Sequence, residues 1–249
     1  MDLTHTAALV AAGIAAGVVN AVAGGGSLIT FPTLIALGLD PVAANVTNSV
    51  AVTPGYLASV AASRRELAVY PRSDLVRLVP TAIVGTLIGC VVLLVTPQRA
   101  FELVVPFLVL AAAVVLALQE QLRRHVGERS GSEVALHVTV GVGAIYGGYF
   151  GAALGVMMVA ALGLVIARPL GQINALKNAI SAVVGLVTVA AFALYGPVDW
   201  ARAAVLAPAC LIGGYLGARL ARRLPARALR AVIVVVGLIV GTLLLLSAH

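Results

Sequence analysis

The strongest constraint on this chain is its succession of apolar segments separated by short polar breaks. Ten can be marked, at about 7–23, 27–38, 43–61, 74–95, 101–119, 134–150, 153–167, 172–195, 200–219 and 228–247. Most approach the ~20 residues that a helix needs to cross a hydrocarbon core of ~30 Å. Charged residues make up only 10% of the chain, against ~25% in soluble domains. Inside lipid only helices and closed barrels satisfy their backbone, and segments of this length read as helices. The expectation is an all-α integral membrane protein that crosses the bilayer several times.

The net charge of +7 would suggest nucleic acid in a soluble protein. Here the arginines sit in the breaks, where membrane orientation accounts for them, and no nucleic-acid partner is expected. Arg64, Arg65 and Arg72 follow segment 3, and Arg123, Arg124 and Arg129 follow segment 5. Arg168 follows segment 7, and Arg219, Arg222, Arg223, Arg227 and Arg230 surround the break after segment 9. The opposite breaks carry only Arg99 and Arg202. The positive-inside rule then puts the arginine-rich loops in the cytoplasm and both termini outside. Met1-Asp2-Leu3 lacks the basic start of a cleaved signal peptide, so the first segment is expected to stay.

Two segments are too short to span comfortably, the second and the seventh. Each follows a glycine-rich break, Gly24-Gly25-Gly26-Ser27 and Gly147-Gly148-Tyr149-Phe150-Gly151. Short Gly-interrupted segments at corresponding places in two halves indicate broken or re-entrant helices 1–2 and 6–7, and a binding site beside them. Spanning and re-entrant paths both enter and leave on the same side, so the choice stays open. Gly13, Gly17, Gly25, Asn48 and Gly55 recur about 130 residues later as Gly143, Gly147, Gly155, Asn178 and Gly185. Pro80, Gly85 and Gly89 recur similarly as Pro208, Gly213 and Gly217. The chain therefore reads as two repeats of about five helical segments, 1–122 and 133–249, joined by a cytoplasmic linker at 123–132. Segment 1 starts outside and segment 6 inside, which makes the repeats inverted.

Lys177 is the sole lysine among 16 basic residues, and it lies within an apolar run. An ionisable group there is a functional candidate. Asn174, Lys177, Asn178 and Ser181 fall on one helical face, which suits a bundle interior; snorkelling of the lysine to the interface is the competing placement. The repeat pairs this cluster with Asn45, Thr47, Asn48 and Ser49, and the two are expected to face each other near the midplane. Gly24, Gly25, Gly26 and Ser27 open a short helix whose free N–H groups suit an oxyanion, or else permit a tight hairpin. Tyr149 and Gly151 at the second break complete the candidate substrate site. A lysine that gave up its proton in a dry site would couple transport to protons.

No acidic residue lies at the centre of a segment, which argues against a carboxylate relay or sodium site. Cys90 and Cys210 read as buried thiols, and neither metal-ligand spacing nor any cofactor or catalytic set is found. Gly237-x3-Gly241 offers a homodimer face on the last segment.

The run Ala11-Ala12-Gly13-Ile14-Ala15-Ala16-Gly17, with Ala23-Gly24-Gly25-Gly26-Ser27-Leu28-Ile29, Phe31-Pro32 and Ala44-Asn45-Val46-Thr47-Asn48-Ser49, resembles the sulfite exporter TauE/SafE family, also called the 4-toluene sulfonate uptake permeases. The likeness covers nearly the whole chain and is looser from 141 to 220, where the triple glycine is reduced to scattered glycines. It implies a transporter of the bacterial inner membrane for sulfite, sulfonates or related sulfur-containing anions. An anion channel and a transporter of small carboxylates are the alternatives.

Overall fold

The computed structural model describes residues 2–22, 24–125, 132–152, 154–220 and 226–247. All regular structure among them is helical: α1 (Leu3–Val22), α2 (Ser27–Ala36), α3 (Pro41–Ala62), α4 (Arg64–Leu67), α5 (Arg72–Val95), α6 (Gln98–His125), α7 (Glu133–Tyr149), α8 (Leu154–Val165), α9 (Leu170–Tyr195), α10 (Trp200–Leu220) and α11 (Ala226–Ser247). The ten expected segments are present, with the single turn α4 added in the arginine-rich loop. Most of the linker at 123–132, Arg222 and Arg223 lie outside the described residues.

Local chemistry explains the helix starts. Asp40 caps α3 by accepting from the Ala43 N–H, with Pro41 at the first helical position. Ser132 caps α7 by accepting from Ala135, and Glu133 faces the positive end of the helix dipole. Among the described residues five helices are long and apolar enough to cross a membrane: α1, α5, α6, α9 and α10. The 10 residues of α2 and 12 of α8 give only about 15 and 18 Å at 1.5 Å per residue. Neither is long enough to cross a hydrocarbon core of ~30 Å by itself.

The breaks before these short helices are built alike. Gly24 N–H donates to Val19 O at 3.0 Å, and Gly151 N–H to Tyr146 O at 3.2 Å. Both glycines are left-handed, with φ of 85° and 69°, a conformation costly for any residue with a Cβ. The turns are clamped differently. Asn20 Oδ1 accepts from Gly26 N–H at 2.8 Å, whereas Tyr146 donates its hydroxyl to Ala152 O at 2.7 Å. Gly24 also packs directly on Gly155: a methyl at Gly24 would lie 2.6 Å from the Gly155 carbonyl carbon.

The bundle closes through small-residue contacts. Helix α1 packs on α10, α7 on α5, α3 on both α9 and α10, and α11 on α6. A methyl at Gly213 would lie 2.2 Å from Ile14 O, and one at Gly85 2.7 Å from Gly141 O. These helices are in backbone contact, held by dispersion and complementary shape instead of hydrophobic transfer. Gly241 is filled against from within the chain, with the Leu110 side chain of α6 2.7 Å from where its Cβ would be. That half of the expected dimer motif is thus occupied inside the protomer. Phe31, Phe101, Tyr149 and Phe150 pack edge to face around the second break, with centroids 5.3 to 6.2 Å apart.

Candidate functional site

Helix α9 brings its polar stripe against the end of α1. The last carbonyls of a helix have no partners of their own and form the negative end of its dipole. Lys177 uses that end: its Nζ donates to Asn20 O at 3.3 Å, and Asn174 Nδ2 reaches Ala21 O at 3.5 Å. Lys177 is completely buried, so its side chain does not snorkel to an interface. Among the described residues the salt bridges are Arg77–Glu133 and Arg202–Asp199; Lys177 has no carboxylate partner. One carbonyl and half a dipole charge leave most of an ammonium charge uncompensated, a costly state in a dry interior.

Further unmet groups line the same region. Asn20 Nδ2, Asn178 Oδ1 and Ser181 Oγ are buried without hydrogen-bond partners. With the remaining N–H groups of Lys177, the cluster offers several donors, and Asn178 Oδ1 is its one group that can only accept, a set suited to an oxyanion. Asn20 was not singled out by sequence reasoning, although its backbone holds Lys177 and its side chain holds Gly26. A lone asparagine one turn ahead of a glycine break is the signal that points to it.

The partner cluster lies elsewhere. Helices α3 and α9 meet closely at Gly185, where a methyl would lie 2.6 Å from Thr53 Oγ1. Lys177 sits about eight residues along α9 from that contact, and Asn48 about five along α3 toward the other end, which separates them by roughly 20 Å. The expected face-to-face arrangement of Asn45–Ser49 with Asn174–Ser181 is therefore not what the fold makes. Each cluster instead meets the end of a broken helix in the other half. Asn45 Nδ2 donates to Tyr149 O, in the last turn of α7, at 3.0 Å, and Asn45 Oδ1 is left unpartnered.

The other expected site residues have their own partners. Thr30 donates to Asn48 Oδ1 at 2.5 Å, and Ser49 Oγ donates to Asn45 O at 2.9 Å. Thr47 points away from the centre and accepts from Asp199 N–H at 2.9 Å. Ser27 lies beside Tyr56 on the wall of a small cavity. Gly24 and Gly26 already use their N–H groups inside the turn, and Gly25 O accepts from Leu28. This leaves less of the expected backbone cradle than the glycine run suggests. Ser27, Asn48, Ser49, Gly147 and Gly151 border a central cavity of about 20 Å³, room for about one water.

The profile of the sulfite exporter TauE/SafE family matches residues 9–244. The chain belongs to that family. It is 30% identical to the "Probable membrane transporter protein YfcA" of Escherichia coli K12, over 94% of this chain and 87% of that protein. It is 26% identical to a "Probable membrane transporter protein" of Haemophilus influenzae, over 86% of this chain and 84% of that one. No solved structure gives a significant match. The TauE/SafE chain is accordingly a membrane transporter and not an enzyme.

The two ends of this TauE/SafE bundle differ. On the arginine-rich face a cavity of about 520 Å³ opens between Tyr70, Arg77, Glu133, His137 and Arg168, and its wall includes Leu176, the neighbour of Lys177. Arg168 lies over the Tyr70 ring at 5.7 Å. An apolar crevice between α5 and α9 continues from it past Leu176 and Ile180. On the opposite face Arg202 pairs with Asp199 and donates to Leu37 O at 2.9 Å. With the Asp199–Thr47 bond, this pins the α2–α3 turn, α3 and the α9–α10 loop together. Further along the two helices, away from that face, Gly214 and Gly55 bring α3 and α10 into backbone contact.

Proposed function

We propose that this protein transports a small anion across the bacterial inner membrane, sulfite, a sulfonate or a related sulfur-containing anion. The observation that carries the reading is Lys177: fully buried, held by one carbonyl, and without a carboxylate counter-ion. A transported anion supplies the missing charge. The donors of Asn20, Ser181 and Lys177 fix its oxygens, with Asn174 and Asn178 holding the wall.

Alternating access between two inverted repeats is the mechanism that the packing supports. Helix α1 lies on α10 as α7 lies on α5. Gly213 abuts Ile14 and Gly217 abuts Val18, as Gly85 abuts Gly141 and Gly89 abuts Ile145. In this register Gly151 is the counterpart of Gly24, a shift from the sequence pairing of Gly25 with Gly155. Asn174 stands in the place of Asn45, since each gives its Nδ2 to a carbonyl at the end of the other half's first helix, Ala21 O and Tyr149 O. Lys177, three residues on, answers to Asn48, so a single charge distinguishes otherwise similar half-sites. With the arginine-rich loops inside and both termini outside, the open cavity at Arg168 faces the cytoplasm and the pinned end faces outward. The chain is then in an inward-facing arrangement with Leu176 between cavity and site.

The pinned outer face and the cavity of about 20 Å³ at the centre weigh against an open channel. A carboxylate substrate stays the rival within transport. Thermal-shift measurements on the purified protein with sulfite, thiosulfate, methanesulfonate, sulfate and acetate separate the cases, because a ligand of the native state raises its apparent stability. Stabilisation by sulfite or a sulfonate, lost in Lys177→Met, is expected. Stabilisation by acetate alone would overturn the sulfur-anion reading.

A further inference from the structure

We infer that the cluster around Lys177 selects an anion that keeps a hydrogen-bond donor of its own, an O–H or N–H beside its charged oxygens, and that Asn178 is the residue that reads it. The inference rests on the anion-transport reading above and narrows its substrate class.

The argument turns on which way the Asn178 amide points. Ser63 gives its hydroxyl proton to Ser59 O at 2.7 Å, so toward Asn178 it can only accept. The atom of Asn178 that faces it at 3.5 Å is therefore the nitrogen. This fixes the amide and leaves Oδ1 buried with no partner, in a residue only 2% exposed. A carbonyl-type oxygen can only accept, and an acceptor left unmet in the interior is costly. Lys177, the Asn20 amide and the Ser181 hydroxyl are donors, and they satisfy the oxygens of any small anion. None of them bonds Asn178 Oδ1. An anion without an O–H or N–H, such as a simple alkanesulfonate or sulfate, leaves that oxygen unmet. An anion that retains a hydroxyl, amino or acidic proton satisfies donors and acceptor together. Sites built to pair a ligand's O–H or N–H reject the analogue that lacks it more strongly than apolar pockets reject a size difference.

Asn45 repeats the arrangement in the other half. Its Nδ2 is tied to Tyr149 O, which fixes its amide too, and its Oδ1 is buried and unpartnered at 1% exposure. Each cluster thus carries one amide whose nitrogen is committed to protein and whose oxygen is free for a donor.

The test compares matched probes that differ by one hydroxyl. Binding of hydroxymethanesulfonate against methanesulfonate, and of glycolate against acetate, is measured by ligand-dependent thermal shift of the purified full chain. The expected result is about tenfold tighter binding of the hydroxyl-bearing member, in whichever pair binds. In Asn178→Leu that ratio falls to within about twofold, because the hydroxyl-bearing member loses more affinity than the plain one. The ligand-free unfolding transition of the variant, seen in the same thermal scans, reports whether it is folded. Ser63→Ala, which lets the amide turn over, lowers the ratio as well and serves if Asn178→Leu does not fold. Equal affinities in the wild type overturn the inference, as does a preference that survives both variants. If only the carboxylate pair binds, with the hydroxyl preference intact, the sulfur-anion reading fails and this one stands. If neither pair binds, this inference fails, and the anion-transport reading is judged separately by sulfite and thiosulfate.

Discussion

Gly24→Ala, set against Gly38→Ala, measures how closely the two helix breaks are held together. Both glycines are left-handed, with φ of 85° and 91°, so alanine pays a similar backbone strain of about 1–2 kcal/mol at either position. Their surroundings differ. A methyl at Gly38 meets no atom within 4 Å, whereas one at Gly24 lies 2.6 and 2.8 Å from the carbonyl carbon and Cα of Gly155 and 2.9 Å from Val156 N. Carbon atoms settle at ~3.5–4.0 Å, so the α1–α2 and α7–α8 breaks must separate by about 1 Å. Overpacking of that size typically costs ~1–3 kcal/mol. The expected losses are therefore about 1–2 kcal/mol for Gly38→Ala and roughly 2–5 kcal/mol for Gly24→Ala. Gly151→Ala falls between them, since its φ is 69° and its nearest neighbour, Gly147 O, would be 3.1 Å away. Unfolding in mixed detergent micelles gives the order, and proteoliposome transport should slow most in Gly24→Ala. Equal losses at Gly24 and Gly38 would show that the breaks are not in backbone contact and would refute the reasoning.

Asn20→Asp keeps an acceptor for Gly26 N–H but places a carboxylate beside Lys177; anion binding should weaken by at least tenfold with stability changed by less than about 1 kcal/mol, as read by thermal shift with and without ligand. Asn20→Ala loses the Gly26 bond instead and should cost about 1–2 kcal/mol in the same unfolding assay. Arg202→Gln removes an ion pair and the bond to Leu37 O, and should cost about 1–2 kcal/mol while speeding labelling of a Leu37→Cys variant by an impermeant thiol reagent from outside. Partial burial raises the pKa of the Asp199 carboxyl, but hydrogen bonds from Arg202 outweigh it and leave the group below its ordinary value. A depressed carboxyl contributes stability above its unfolded pKa of ~3.9 and loses it as pH falls through the lower folded value. The outer pin should thus be constant from about pH 5 to 8 and release only in stronger acid, measurable as Leu37→Cys labelling against pH.

Much of the fold was legible because membrane helices announce themselves by length and apolarity. The breaks were legible because only glycine tolerates the left-handed turns at positions 24 and 151. The lysine was legible because one ammonium in an apolar run has few tolerable settings. What sequence reasoning lacked was the identity of the facing helix. It paired Asn45–Ser49 with Asn174–Ser181 directly, but the polar stripe of each helix is answered by carbonyls at the end of α7 or α1, groups present in every sequence and invisible as side chains. Thr47 shows the same limit: its spacing suited the site, yet its hydroxyl anchors the α9–α10 loop. Glycine matches alone leave the repeat register open, because glycines are frequent enough to match at more than one offset. The backbone contacts of Gly85 and Gly213 carry the information that glycine identity alone does not. Asn20 went unnoticed because its importance lies in two partners distant in sequence or structure, Gly26 and Lys177.

The central claim is that a buried, unpaired Lys177 exists to hold an anion. Its most direct test is radiolabelled sulfite transport in proteoliposomes containing wild type or Lys177→Met, with unfolding of both followed in parallel. Removing an uncompensated buried charge should leave stability unchanged or raise it. Losing a charge-assisted hydrogen bond to the substrate, ~1.5–3 kcal/mol, should weaken sulfite binding by roughly 10–150-fold. The account predicts a variant that is at least as stable as wild type and nearly inactive. Full sulfite transport by Lys177→Met would contradict it.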